Sequence, residues 1–188
     1  MKKFLLMAAV LLALGGLGQK SIPDFKLTNV QNGASVSLSD FSGMPGVVLV
    51  FTSNTCPFDA YYRARIRSLM EEYAGKIQFV LINSYLETDE NEEAMKTAYS
   101  SWQLAAPYLA DKDQNALQAV DARRSPEVFL LKSTKAGMTV YYQGAIDDSP
   151  QLASAVRQRF LQAAIDQLLK GGAPPAANRS AGCTIRRK

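Results

Sequence analysis

Apolar and polar positions along this chain divide it into short, clearly separated elements. Ile22 to Val30 and Ser35 to Leu38 flank Asn32-Gly33, a dipeptide that favours the tight turn of a hairpin. Val47 to Thr52, VVLVFT, is apolar on every residue but the last. Such continuity predicts a central strand covered on both faces, and Ile77 to Ile82, IQFVLI, predicts a second. Between them Phe58, Tyr61 or Tyr62, Ile66, Leu69, Met70 and Tyr73 recur at helical spacing. That stripe predicts a helix from Pro57 to Ala74, opened by a proline that loses no needed N–H and ended by Gly75.

Thr88 to Trp102 reads as a further helix, because Thr88 and the acids of DENEE suit a positive helix N-terminus. Tyr108 to Ala110 reads as a short strand and Asp113 to Val120 as a short helix. Glu127 to Leu131 and Met138 to Tyr142 predict an antiparallel pair joined by a turn containing Gly137. Ser149-Pro150 opens a last predicted helix to Leu169, with Leu152, Val156, Phe160, Ile165 and Leu168 on its apolar stripe. Strand–helix–strand alternation requires parallel neighbours with right-handed crossovers, and the closing pair adds an antiparallel edge. The expected class is therefore α/β, a mixed central sheet with helices on both faces. No internal repeat is visible.

The two ends differ from this body. Lys2 and Lys3 precede an uninterrupted apolar run, Phe4 to Leu14, and Gly15-Gly16-Leu17-Gly18 supplies small residues. The run is short of the roughly 20 residues a spanning helix needs, so residues 1–18 read as a cleaved secretory signal. That implies export to a periplasmic or extracellular, oxidising compartment without stable membrane insertion. The single domain then spans 19–170. Residues 171–188 are rich in Gly, Pro and Ala, carry Arg179, Arg186, Arg187 and Lys188 with no acid, and read as an extended, mobile basic tail. The net charge of +4 comes from these ends, leaving the body at −2, which argues against nucleic-acid binding. With no histidine and two cysteines, Ser-His and Cys-His pairs are excluded, and neither a metal nor a cofactor is expected.

The chemistry centres on Val48 to Asp59, VLVFTSNTCPFD. Cys56 follows a strand and opens a helix. In open α/β sheets that edge is where sites form, and a helix N-terminus favours thiolate over thiol. Asn54 and Thr55 place polar donors beside the sulfur. A Cys-x-x-Cys motif would require a cysteine at 59, where Asp59 stands. Asp59 reads most simply as a helix-start acid, with proton transfer as the sharper alternative. Ser125-Pro126, before a buried strand, is a candidate cis peptide, and Arg123 and Arg124 bring charge near it.

On these residues the chain resembles the thioredoxin fold in its peroxiredoxin-like branch, the alkyl hydroperoxide reductase/thiol-specific antioxidant or redoxin group. The matching stretches are IPDF with LSDFSG, VVLVFTSNTCP, SPEVFLL, QGAIDD and the terminal GCTI. The resemblance implies a thioredoxin-like three-layer sandwich with Cys56 as nucleophile. It matches Ser53 to the hydroxyl residue three before that cysteine, but Leu49 stands where the group has proline seven before it. It implies Arg124 or Arg123 as helper cation and Pro126 as the cis-proline, with Thr55 completing the expected site. Cys183, the other cysteine, could condense with a sulfenic acid on Cys56, within one chain or across a homodimer, or could be a static or idle thiol.

Three functions follow. The first is an exported peroxiredoxin-like oxidoreductase, with Cys56 acting on peroxide or disulfide, Cys183 resolving and an external thiol as reductant. The second is a thiol–disulfide exchange protein acting on other exported proteins. The third is a thioredoxin-fold binding module with inert cysteines.

Overall fold

A computed structural model describes residues 21–188; the expected signal at 1–18 lies outside the described residues. Its strands are β1 (Lys26–Asn29), β2 (Ser35–Ser37), β3 (Gly46–Phe51), β4 (Gln78–Asn83), β5 (Tyr108–Ala110), β6 (Arg124–Ser125), β7 (Glu127–Thr134), β8 (Gly137–Gly144) and β9 (Cys183–Thr184). The helices are α1 (Pro57–Glu72), α2 (Glu92–Tyr99), α3 (Asn115–Val120) and α4 (Phe160–Leu169). Seven strands form one sheet in the order β2-β1-β5-β4-β3-β7-β8, and β6 pairs with β9 separately. β3–β4 and β4–β5 are parallel, whereas β3–β7 and β7–β8 are antiparallel. This is the mixed α/β sandwich that the strand–helix alternation predicted.

All six residues of β3 are buried, as its unbroken apolar sequence required. Alternation then divides them between two cores. Val48 and Val50 pack with α1, α2 and α4 through Ile66, Leu69, Met95 and Leu161. Val47, Leu49 and Phe51 pack on the opposite face with Phe25, Leu27, Leu117 and, from the tail, Ile185. β3 therefore ends in mid-sheet, covered on both sides, and delivers the chain to a turn at a sheltered edge.

Three segments differ from expectation. The helix expected from Thr88 to Trp102 is a 3-10 turn at Thr88–Glu90 followed by α2, which Asn91 rather than Thr88 caps and which ends at Tyr99. The last helix begins at Phe160, not at Ser149; one 3-10 turn, Ala153–Ala155, occupies the interval. Asp148 Oδ1 accepts the backbone N–H groups of Arg157 and Gln158 at 2.9 and 3.0 Å, which holds this stretch as a closed loop. The tail, expected to be extended and mobile, is seated on the body. Asn178 N–H donates to the Gln143 carbonyl at 3.3 Å, and Ala145 N–H donates to the Asn178 carbonyl at 3.0 Å. Gly144, at φ +128°, makes this approach feasible, since a Cβ there would lie 1.7 Å from the Asn178 oxygen. Beyond it, β9 pairs with β6, Ile185 is buried, and Arg187 and Lys188 form ion pairs with Asp121 and Asp113.

Candidate active site

Cys56 is the N-cap of α1, with Pro57 in the first turn. Its backbone is extended, which turns the strand exit into the helix start. The turn before it is tied from within and from outside. Ser53 Oγ accepts the N–H groups of Thr55 and Cys56, each at 3.0 Å, and donates to Glu90. Glu90 is buried at 1% exposure. Its carboxylate also accepts from the backbone of Asn54 at 2.9 Å and of Thr55 at 3.2 Å. Thr55 Oγ1 donates to it at 2.9 Å and Asn83 Nδ2 at 2.6 Å. Lys112 Nζ in turn donates to the Glu90 carbonyl at 2.7 Å and to Asn83 Oδ1 at 2.9 Å. Burial pulls the Lys112 ammonium down to about 8, against the pull of Glu90.

Asp59 lies three residues after Cys56, in the first turn of α1. It is a helix-start acid, as read from sequence, but a buried one at 1% exposure. Thr52 Oγ1 donates to Oδ1 at 2.7 Å, while Oδ2 has no hydrogen-bond partner. Burial pushes this carboxyl up to about 7; the Thr52 and Ser125 hydroxyls and the Arg63 guanidinium oppose the shift without cancelling it.

Opposite the sulfur lies the β6–β7 turn. The Ser125–Pro126 peptide is cis, as suspected from sequence. The Ser125 carbonyl oxygen is 3.4 Å from Cys56 Sγ. Cys183 faces Ser125 in the β6–β9 register and is joined to Cys56 by a disulfide, S–S 2.01 Å, across 127 positions of sequence. Tyr85 O–H donates to the Cys183 carbonyl at 3.1 Å and pairs with Ser125 Oγ at 2.8 Å. Gly182 passes so near that a Cβ would lie 2.1 Å from the Ser125 oxygen, so the residue before Cys183 must lack a side chain. Cys56 is 4% exposed, and Cys183 is partly exposed.

The structure thus brings Cys56, Cys183, Ser53, Thr55 and Pro126 together. Arg124 lies at the margin, with Nη1 3.4 Å from the Gly182 carbonyl, and Arg123 pairs outward with Asp121. The guanidinium beside the turn before Cys56 is Arg63, which sits 4.2 Å over the Trp102 ring and reaches the Asn54 carbonyl at 3.4 Å. Sequence reasoning missed Arg63, Glu90 and Tyr85. Glu90 reads in sequence as one of several acids of DENEE; its burial depends on packing across about 35 positions. Among the described residues no cluster suited to a metal ion occurs, and no helix is long and apolar enough to cross a membrane.

Comparison with solved structures places this geometry in context. An uncharacterized conserved protein from Geobacillus kaustophilus superposes with a TM-score of 0.81 at 31% identity, covering 90% of this chain and 92% of that one. A hypothetical protein from Sinorhizobium meliloti gives 0.79 at 29%, covering 89% and 92%. A secreted disulfide oxidoreductase from Mycobacterium tuberculosis gives 0.55 at 19%, covering 76% and 94%, a likeness that bears on the thioredoxin-like fold alone. No curated protein matches the sequence. The AhpC/TSA family model matches residues 18–143, well over half of the chain, and the chain belongs to the AhpC/TSA family of thioredoxin-fold redoxins.

Proposed function

We propose that this chain is a peroxide-reducing thiol oxidoreductase in which Cys56 is the nucleophile and Cys183 the resolving thiol. The observation that supports it most is the disulfide between two sulfurs that the fold approaches independently. Cys56 is fixed by a strand end and a helix start. Cys183 is fixed by pairing with β6 and by Ile185, Arg187 and Lys188 beyond it. With a tail so anchored, opening the bond leaves the second thiol nearby, and its effective concentration stays high.

The chemistry balances with no cofactor. The Cys56 thiolate, favoured at the N-terminus of α1, attacks one peroxide oxygen; the O–O bond breaks and the alcohol or water leaves. Cys183 thiolate attacks the resulting sulfenic sulfur, hydroxide leaves and takes up a proton, and the disulfide forms. Two equivalents of an external thiol restore both thiols. In this reading Ser53 and Thr55 shape the turn, Pro126 borders the sulfur and Arg124 faces the tail. An intrachain bond requires no homodimer. Export through the leader at 1–18 fits a disulfide that persists in an oxidising compartment.

One observation favours a second reading, exchange with disulfides of other exported proteins. β9 lies against the cis-proline turn as an extended peptide would. The two separate in one pair of assays. Peroxide consumption with a thiol reductant, abolished by Cys56→Ser and reduced by Cys183→Ser, is expected. Insulin reduction without peroxide consumption would replace the first reading with the second. Inactivity in both, with Cys56 resistant to alkylation in the reduced protein, would leave the inert binding module.

A further inference from the structure

Between the β6–β7 turn, the end of β8 and the tail is a polar cavity of about 370 Å³. One wall is the body: Arg123, Arg124, Glu127 and Gln143, with Gly144. The other is the tail, Ala177 to Ser180. Its size suits a molecule of a few residues. Its charge is unbalanced. Glu127 spends one oxygen on the backbone N–H groups of Arg123 and Arg124, at 2.7 and 3.1 Å. Arg123 is paired with Asp121. Neither Arg124 nor Arg179 has a carboxylate partner among the described residues. Ser180 is 4% exposed and its hydroxyl has no hydrogen-bond partner. Two guanidiniums without a carboxylate partner and an orphaned hydroxyl make an arrangement that suits a carboxylate.

The cavity lies near the more exposed sulfur of the pair through its lining residue Arg124, which pairs with Thr184, the residue after Cys183. Arg124 Nη1 lies 3.4 Å from the carbonyl of Gly182, the residue before Cys183, and Ser180 is three positions from that cysteine. Cys56 is the more deeply buried sulfur of the pair. A reducing thiolate therefore meets Cys183 first, and Cys56 departs as the thiolate that the α1 N-terminus favours.

Resting on the reading of Cys56–Cys183 as a cycling pair, we infer that this cavity binds the reductant, a small thiol carrying one or more carboxylates. The thiolate attacks Cys183 Sγ, a mixed disulfide forms there, and the bonding pair leaves on Cys56. A second thiolate attacks the small-molecule sulfur of the mixed disulfide. It forms the symmetrical disulfide of the reductant and frees Cys183 thiolate, which takes a proton from water. The tail forms half of the cavity, so the site is complete only while the tail is docked.

The test uses the oxidised full chain and measures the rate of disulfide opening by quenched mass spectrometry. The probes are glutathione and mercaptosuccinate as anionic thiols, 2-mercaptoethanol as neutral and cysteamine as cationic. Rates are compared per thiolate, so that thiol acidity does not enter. The anionic thiols are expected to open the bond about tenfold faster than 2-mercaptoethanol at low salt, with the advantage shrinking as salt rises. Arg179→Ala should remove most of that advantage, leave the 2-mercaptoethanol rate within about twofold, and be rescued in part by Arg179→Lys. Equal thiolate-corrected rates across the panel, or an Arg179→Ala loss shared by all four thiols, would overturn the assignment. If neutral thiol opens the bond and peroxide closes it again while anionic thiols show no advantage, only this inference fails. If no thiol opens it, the cycling pair and the cavity's role fall together.

Discussion

Two buried carboxylates serve the turn and helix start around Cys56, and the fold treats them in opposite ways. Glu90 accepts five hydrogen bonds, from the hydroxyls of Ser53 and Thr55, the backbone of Asn54 and Thr55, and the Asn83 amide. Asp59, by contrast, has one donor, Thr52, and one oxygen with none. Both are 1% exposed. Burial alone therefore does not decide what an acid does; the number of donors aimed at it does. Glu90 is a strut that fixes the turn before Cys56. Asp59 is a carboxyl pushed to about 7, which holds its proton near neutrality and adds no full negative charge beside the sulfur. A permanent carboxylate there would oppose thiolate formation. The Cys-x-x-Cys position has thus been filled by an acid that burial keeps partly protonated near neutrality.

The contrast can be broken by substitution. Glu90→Ala removes the acceptor for five donors at once and is expected to cost about 4 kcal/mol in urea unfolding of the oxidised chain. Glu90→Gln, which keeps part of the acceptor, should cost less. An alanine variant as stable as the wild type would show that the network does not hold the turn.

Asp59→Asn probes the other side. The Asp59 carboxyl is raised in the fold from 3.8 to about 7. The unfolded chain therefore ionises first as pH rises. Stability is fully present below about pH 4 and is lost progressively up to about pH 7, by on the order of 4 kcal/mol. Asp59→Asn should flatten the stability profile across that window. A profile unchanged in the variant would assign the slope to another group. Thr52→Val, the smallest change, removes the one donor to Asp59. It should move the upper end of the same window to higher pH, at a cost of about 1 kcal/mol; a downward shift would contradict the geometry.

Much of this arrangement was legible in the sequence. The unbroken VVLVF, the proline after Cys56 and the helical stripe from Phe58 to Tyr73 place the sulfur at a strand end and helix start, because those signals are local. Ser125-Pro126 before an apolar strand marked the cis turn for the same reason. Glu90 was not legible, since its donors come from the turn at 53–55 and from Asn83, and only packing converts a surface-like acid into a buried one. The tail misled by composition: Gly, Pro and Ala read as mobile, yet backbone hydrogen bonds at Asn178 and the burial of Ile185 seat it. The one available signal was the β-branched pair Thr184-Ile185 directly after Cys183, Ile185 being the one large aliphatic residue of the tail.

The central claim is that Cys56 is oxidised first and Cys183 resolves it. Mass spectrometry of the reduced chain after one equivalent of hydrogen peroxide tests this directly, with each cysteine replaced in turn by serine. The account predicts an intrachain Cys56–Cys183 disulfide in the wild type, a gain of oxygen on Cys56 in Cys183→Ser, and neither product in Cys56→Ser. Oxygen appearing first on Cys183, or a wild-type chain left unoxidised, would contradict it.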